Sequence, residues 1–197
     1  GYIGTITQNS GQTITIGSDG WVQAGGTFVG GDSAVDINGN LNVSGGSYTA
    51  TSSTINLSAD LNISAGATFT HNSGTLNLDS ANSNVDITTN SKVFNNVIFA
   101  QTSAADRKVD LNDNMNIDGN LIFNQSCSTS GCEITGGNSL LVKGDVTSTS
   151  IHKSLSLGSF FVALVGSGVQ NITSTDYLPP LIISSTGTVN FTSDFTV

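Results

Sequence analysis

Two cysteines, Cys127 and Cys132, have the chemistry most easily defined by spacing. They enclose Ser-Thr-Ser-Gly, a stretch without large side chains. Nearby thiols on such a loop favour a disulfide in an oxidising compartment, which would hold one turn rather than the whole fold. We therefore predict a disulfide, with two free thiols as the alternative. A metal site is disfavoured because zinc sites use a second cysteine pair or histidines, which are absent nearby.

The segment 112–119 superficially resembles a calcium-binding loop, with Asp113 and Asp118 as candidate ligands. In the best alignment an Asn takes the first ligand position, and Gln125 stands where a bidentate Glu should close the loop. The same residues also fit the strand repeat described below. We therefore predict no dedicated metal site and no cofactor, with stacked Asp and Asn side chains at the corners of the repeat as weak calcium candidates.

The acidic residues offer little for acid–base catalysis. Most occupy fixed corner or strand positions of a repeat, as Asp36 and Asp60 do, and Asn replaces them in other copies. Turn chemistry and outward polar alternation explain this better than proton transfer. His71 and His152 stand alone, without a Ser or Cys partner at a recognisable spacing. We predict a protein that is not an enzyme.

The composition favours strands and excludes several partners. The chain has 197 residues, of which 23 are Gly and only 10% are charged. Ser, Thr, Asn and Gly are unfavourable in helix interiors, whereas Thr and Val suit a pleated sheet. A net charge of −9 opposes binding to nucleic acid and to anionic membrane surfaces. No apolar run reaches the length of a membrane span, so we expect no membrane insertion.

A nine-residue motif supplies the elements that position these residues. Val-Asp-Ile-Asn-Gly-Asn-Leu-Asn-Val at 35–43 returns in related form at 55–63, 109–117 and 189–197. Each copy predicts two short alternating strands with a polar corner between them. Successive opening strands are 20 or 21 residues apart through the first four copies. A period near twenty is typical of a solenoid, in which each coil stacks on the last.

A second recurring piece places one aromatic residue in each early coil. It is Gly-Gly-Thr-Phe at 25–28, Gly-Gly-Ser-Tyr at 45–48 and Gly-Ala-Thr-Phe at 66–69. One coil would then contain three strands and three turns, with Phe28, Tyr48 and Phe69 stacked along the axis. Alternation does not decide whether Tyr48 points in or out.

The pattern predicts an all-β fold, a single-stranded parallel β-helix with about 20 residues per coil. We expect one continuous segment over 1–197, with inserted loops near 80–84, 101–108 and 125–133, and a right-handed wind. An antiparallel β-sandwich is the alternative, although it does not explain the regular period. The copy at 189–197 leaves an open β edge, which we expect more of the chain or another subunit to cover.

Thr-x-Thr pairs raise one further possibility. Thr13 with Thr15 and Thr49 with Thr51 resemble the threonine arrays of ice-binding solenoids. Because such pairs do not recur in every coil of the sequence, we do not predict a regular threonine face.

Apolar-Asn-apolar strands joined by Gly-Gly-Ser/Thr-aromatic turns resemble the parallel β-helix repeats of bacterial filamentous-haemagglutinin and autotransporter-type adhesins. The resemblance implies an extracellular or cell-surface stalk, fibre or adhesin. It implies as partners neighbouring coils or other copies through the terminal β edges, with cell-surface glycans as further candidates. The alternatives are a carbohydrate-binding or polysaccharide-degrading β-helix protein, and a self-assembling filament subunit joined through open β edges.

Overall fold

A computed structural model describes residues 2–80, 84–103, 107–127, 132–150, 160–175 and 178–194. Within these residues the regular structure consists of β-strands, without helix. The strands are β1 (Thr5–Thr7), β2 (Ile14–Ile16), β3 (Trp21–Gln23), β4 (Thr27–Val29), β5 (Val35–Ile37), β6 (Leu41–Val43), β7 (Ser47–Thr49), β8 (Thr54–Leu57), β9 (Leu61–Ile63), β10 (Thr68–Thr70), β11 (Thr75–Leu78), β12 (Val85–Thr88), β13 (Val93–Phe94), β14 (Asn96–Phe99), β15 (Thr102–Ser103), β16 (Arg107–Leu111), β17 (Met115–Ile117), β18 (Leu121–Asn124), β19 (Ser126–Cys127), β20 (Cys132–Thr135), β21 (Ser139–Val142), β22 (Val146–Ser150), β23 (Phe161–Leu164), β24 (Val169–Ser174), β25 (Leu181–Ile183) and β26 (Thr188–Phe191).

The strands stack as a parallel β-solenoid of about 8 turns, with ~21 residues per turn. A nine-stranded sheet runs β2-β5-β8-β11-β14-β18-β22-β24-β26, and a six-stranded sheet runs β3-β6-β9-β12-β16-β20. The third side is a four-stranded sheet, β1-β4-β7-β10, followed by a five-stranded sheet, β13-β17-β21-β23-β25. A two-stranded sheet, β15-β19, lies between two of these sides. The predicted β-helix is confirmed, and the sandwich is wrong because the pairings among the described strands are parallel.

The opening motif spans one corner and contributes to two sheets. Its first strand, β5, belongs to the nine-stranded sheet, and its second, β6, belongs to the six-stranded sheet. Val35, Ile37, Leu41 and Val43 are buried, while Asp36 and Asn42 between them face outward. Each strand bonds to the coil before and the coil after, so Val35 pairs with Ile55 across 20 residues. The apolar rows therefore form one continuous core.

The later copies of the motif are displaced from the predicted alignment. Val109 lies in the six-stranded sheet, where it pairs with Val85, whereas the row of Val35 continues through Val97. At the other copy Val189 pairs with Gln170, so the copy is shifted within the nine-stranded sheet. The reason is physical. Both sides of a corner use the same apolar-polar-apolar strand, so the pattern identifies a strand without identifying its sheet.

An aromatic row fills the third side of the early coils. The rings of Phe28 and Tyr48 have centroids 4.8 Å apart, and those of Tyr48 and Phe69 are 5.9 Å apart. The predicted stack is thus confirmed, and Trp21 and Phe94 extend it. Tyr48 points inward and is fully buried, and burial raises the pKa of its phenol. The Phe69–Phe94 contact, 4.8 Å between centroids, joins the four-stranded to the five-stranded sheet.

The predicted loops fall partly outside the described residues. Residues 81–83, 104–106 and 128–131 are not among them. Around these places the coils lengthen, since equivalent residues are 20 or 21 apart in early coils and 24 to 26 apart in later ones.

Corner glycines allow successive coils to approach closely. Gly46 has a φ of +77°, and a Cβ there would lie 2.2 Å from the Gly26 carbonyl oxygen of the preceding coil. Gly66, one position earlier in the next copy of this turn, has no such neighbour within 4 Å. The first site therefore requires glycine for both its conformation and its space, and the second does not.

We expect Gly46→Ala to lower the free energy of unfolding by about 1 to 3 kcal/mol, because it adds a left-handed non-glycine residue and a backbone clash. Gly66→Ala is the matched control and should change it by less than about 1 kcal/mol. Urea unfolding followed by circular dichroism measures both. Equal losses in the two variants would contradict this account of the corner.

Candidate functional site

The polar residues at the corners bind the backbone of the next coil. We call Asn96, Asn120, Asp145, Asn171 and Asn190 the corner ladder. The Oδ1 of Asn96 accepts a hydrogen bond from the Asn120 backbone N–H at 2.9 Å. Asn120 Oδ1 accepts in turn from Asp145 N–H at 2.9 Å. Asp145 Oδ1 accepts from Asn171 N–H at 2.7 Å, so each side chain serves the coil after its own.

The same geometry recurs at other corners. Asn40 Oδ1 accepts from Asp60 N–H at 3.1 Å, and Asp60 Oδ1 accepts from Asp86 N–H at 2.9 Å. Asn114 Oδ1 accepts from Ser139 N–H at 2.8 Å. An Asp or an Asn can fill these positions because both offer the required oxygen. This explains why the two residue types exchange between copies of the motif.

The candidate calcium ligands lie in different surroundings, each facing another coil. Asp113 accepts hydrogen bonds from Thr89 N–H and from Asn90 N–H. Asp118 forms an ion pair with Lys143, with 2.7 Å between Oδ1 and Nζ. Among the described residues no three His, Cys, Asp or Glu side chains lie close enough to hold a metal ion together. The two carboxylates thus already have donors from the protein. That there is no dedicated metal site, with these residues as weak calcium candidates, stays a prediction.

The positions of the two cysteines are known from the strands that contain them. Cys127 ends β19, where it pairs with Ser103, and Cys132 begins β20, where it pairs with Arg107. The residues between them, 128–131, lie outside the described part of the chain. The disulfide therefore stays a prediction.

The other groups suited to proton transfer have structural contacts. His71 Nδ1 accepts from Ser73 N–H at 2.9 Å, within its own turn. Lys92 Nζ donates to the Ala65 carbonyl at 3.0 Å, and Lys108 pairs with Glu133 at 3.0 Å. His152 lies outside the described residues. These contacts link coils rather than gathering acids and bases around one point.

Buried glutamines were missed by the sequence analysis. Gln8 donates from Nε2 to the Gln12 carbonyl at 2.7 Å, and its Oε1 accepts from Gly31 N–H at 2.9 Å. Gln170 Nε2 donates to the Gly144 carbonyl at 2.9 Å, and its Oε1 accepts from Gly166 N–H at 3.0 Å. The sequence could have indicated their burial, because each Gln stands at a position where alternation predicts an inward apolar residue. Their side-chain amides supply hydrogen-bond partners for backbone N–H and C=O groups inside the corners.

Asp32 ties the first two coils together. The Ser10 hydroxyl donates to its Oδ2 at 2.6 Å, and Gly11 N–H donates to its Oδ1 at 2.8 Å. These two bonds, the Ser10 bond first, hold the pKa of the Asp32 carboxyl below its ordinary value of 3.8.

Inward-facing apolar rows reach both ends of the solenoid. Ile6 continues the row of Phe28 but is 46% exposed, and it lines a groove of about 220 Å³ with Trp21 and Val22. At the opposite end Ile183 continues the row of Leu164 and is 56% exposed. At these two end surfaces apolar side chains of the inward rows are exposed, whereas the core between them is buried.

Comparison with known proteins gives no match to a family model, a curated protein or a solved structure. The described residues include no helix with the length and apolar character needed to cross a membrane.

We expect Asp145→Ala to lower the free energy of unfolding by about 1 to 2 kcal/mol, because it leaves Asn171 N–H without its charged acceptor. Asp145→Asn keeps one acceptor oxygen and should lose less than half as much. Urea unfolding measures both variants. Equal effects of Ala and Asn would show that the corner ladder does not depend on this oxygen.

We also expect the Asp32 contribution to depend on pH. Its pKa is depressed in the folded state, so its stabilisation is present above the ordinary value of 3.8 and is lost as the pH falls through the lowered value. The difference in urea midpoint between the protein and Asp32→Asn should therefore shrink on acidification. Asp19→Asn removes an exposed carboxylate and is the control. A difference that stays constant with pH would contradict the assignment.

Proposed function

We propose that this chain is a non-enzymatic structural or adhesive segment of an extracellular fibre or stalk. The observation that carries the proposal is the stack of parallel coils, in which each strand bonds to the equivalent strands of the coils on either side. The apolar surfaces around Ile6 and Ile183 are suited to contact with another coil. The partners are accordingly neighbouring coils of a longer chain or other copies of the chain, with cell-surface glycans as candidate ligands of the sides.

The surface chemistry supports a role outside the cell. Outward positions carry small polar side chains, as in the row of Asp36, Asn56 and Asn77. The Asn56 amide donates to Asp36 at 2.6 Å, and the Asn77 amide donates to Asn56 at 2.9 Å. Bonds between the side chains of successive coils hold this regular backbone in register. The apolar-Asn-apolar strands and the turns between them also resemble those of adhesin repeats.

A self-assembling filament subunit is the second candidate. It is favoured by the same apolar ends, because a copy placed end to end would cover both at once. A polysaccharide-degrading enzyme is the competing class, and it requires two carboxylates placed to exchange protons with the sugar. The carboxylates of Asp60, Asp113 and Asp145 instead bind backbone N–H groups.

We expect no turnover when the purified chain is incubated with a panel of polysaccharides and assayed for reducing ends and unsaturated sugars. The reason is that the corner carboxylates are committed to hydrogen bonds between coils. Turnover that disappears on a single Asp→Asn change would end the structural proposal.

Sedimentation over a range of concentrations separates the fibre segment from the filament subunit. A sedimentation coefficient that rises with concentration indicates self-association. If Ile183→Lys prevents that association and the side-facing Asn62→Lys does not, the copies join through their ends. Electron microscopy of the same samples shows whether the product is a filament. A monomer at every concentration would contradict the filament subunit.

A further inference from the structure

The end of the solenoid that carries Ile6 forms a step. Strand β1 pairs with β4 and covers the third side of the coil beneath it. Among the described strands, β3 is the outermost of the six-stranded sheet and pairs with β6 alone. The groove of about 220 Å³ runs beside this open strand, and Gln23 lines it together with Ile6 and Trp21. We call it the end groove.

The backbone of β3 has hydrogen-bonding groups directed away from β6. Trp21 N–H donates to the Asn40 carbonyl of the following coil at 2.7 Å. The Gln23 carbonyl accepts from Ser44 N–H, also in the following coil, at 2.8 Å. Successive residues of a strand direct their N–H and C=O groups to opposite neighbours. The N–H and C=O of Val22 are therefore directed to the side of β3 on which no described strand lies.

A buried amide oxygen also lacks a donor beside the end groove. Gln23 is 8% exposed, and its Nε2 donates to the Ser47 carbonyl of the following coil at 2.9 Å. Its Oε1 is buried and accepts no hydrogen bond from the described residues, whereas the Oε1 atoms of Gln8 and Gln170 accept from backbone N–H groups. Because Nε2 is turned toward the following coil, Oε1 is turned away from it, toward the groove that Gln23 lines. A backbone N–H placed there would supply the missing donor.

Apolar and aromatic side chains form the walls of the end groove. Trp21 packs against the buried Phe28 with 4.7 Å between ring centroids, and it continues the inward row of Leu41. Ile6 continues the row of Phe28 and is 46% exposed. None of the described residues that line the groove is charged. An apolar side chain placed between Ile6 and Trp21 would remove apolar surface of both from water.

An extended polypeptide strand has the groups that these features require. Its backbone offers a C=O and an N–H to Val22, and a further N–H to the Gln23 oxygen. Its side chains alternate, so an apolar residue enters the groove while its neighbours face solvent. Binding at an open strand in this way takes its affinity from the backbone and its specificity from the pocket for the alternate side chain.

We propose that the end groove binds an extended strand of another polypeptide, which pairs with β3 on the side opposite β6. The strand has apolar residues at alternate positions and is neutral or basic. The net charge of −9 favours such a strand over a second acidic copy of this chain. The proposal goes beyond the proposed function, because it holds for a single copy in solution and does not require the ends of the solenoid to join coils.

Fluorescence of Trp21 tests the proposal, because it is the only tryptophan of the chain and lines the end groove. The probe is a capped peptide with the sequence of residues 39–45, Gly-Asn-Leu-Asn-Val-Ser-Gly, which is uncharged and contains β6. We expect a saturable shift of the emission to shorter wavelength, measured where the protein is a monomer by sedimentation. The control peptide Gly-Leu-Val-Asn-Asn-Ser-Gly has the same composition without the alternation and should bind about tenfold more weakly.

Val22→Pro removes the backbone N–H that faces the groove, and proline is tolerated in an edge strand when that N–H faces solvent. We expect it to weaken binding of the 39–45 peptide about tenfold. The matched control is Thr15→Pro on β2, the outermost strand of the nine-stranded sheet, which should bind the peptide unchanged. Gln23→Leu removes the buried oxygen and should also weaken binding. Ile6→Ser, which shortens a wall of the groove, serves if either variant folds poorly.

Circular dichroism establishes that each variant is folded. A folded, unchanged protein whose Trp21 emission shows no saturable shift overturns the proposal. It is equally overturned if Thr15→Pro weakens binding as much as Val22→Pro, because the effect would then not come from the end groove. Self-association of the protein that both proline variants prevent would show that a second copy occupies this end, and the assignment to another polypeptide would be wrong.

Discussion

Each coil of this protein must repeat the backbone path of the coil before it, because the hydrogen bonds of its strands run to the coils on either side. Val35 and Ile55, or Leu57 and Leu78, therefore occupy equivalent places with the same inward direction. A side chain that fits one coil must also fit its neighbours. Packing, corner chemistry and surface pattern all follow from this single requirement of register.

The register must be kept within each strand, whereas the number of residues between strands can vary. Equivalent residues on the nine-stranded sheet are 20 apart in early coils and 26 apart in a later one, yet the sheet continues through both. The first additional residues enter between the nine-stranded and six-stranded sheets, because Leu57 pairs with Leu78 across 21 residues whereas Leu61 pairs with Ile87 across 26. The solenoid thus accepts additional residues between strands, where no strand pairing has to be kept.

Periodicity was sufficient to predict the parallel β-solenoid, its coil length and the aromatic stack, because each depends on repeated alternation. It could not assign the strands of 109–117 to their sheets, since the sides of a coil share one pattern. Periodicity also could not predict that Tyr48 points inward or that Gln170 is buried, because both depend on neighbours about one coil away.

The corner ladder gives the solenoid a direction. The side-chain oxygens of Asn96, Asn120 and Asp145 accept from the backbone N–H of the following coil. Asn171 Oδ1 accepts from the side-chain amide of Asn190 in the coil after it. The backbone bonds of this ladder therefore all point the same way along the stack, whereas Asp32 and Asp113 accept from the preceding coil. Two such bodies cannot join through identical ends by a two-fold axis with the ladder continued. Any assembly that continues it is polar, with every copy oriented the same way along a line that has no closing point.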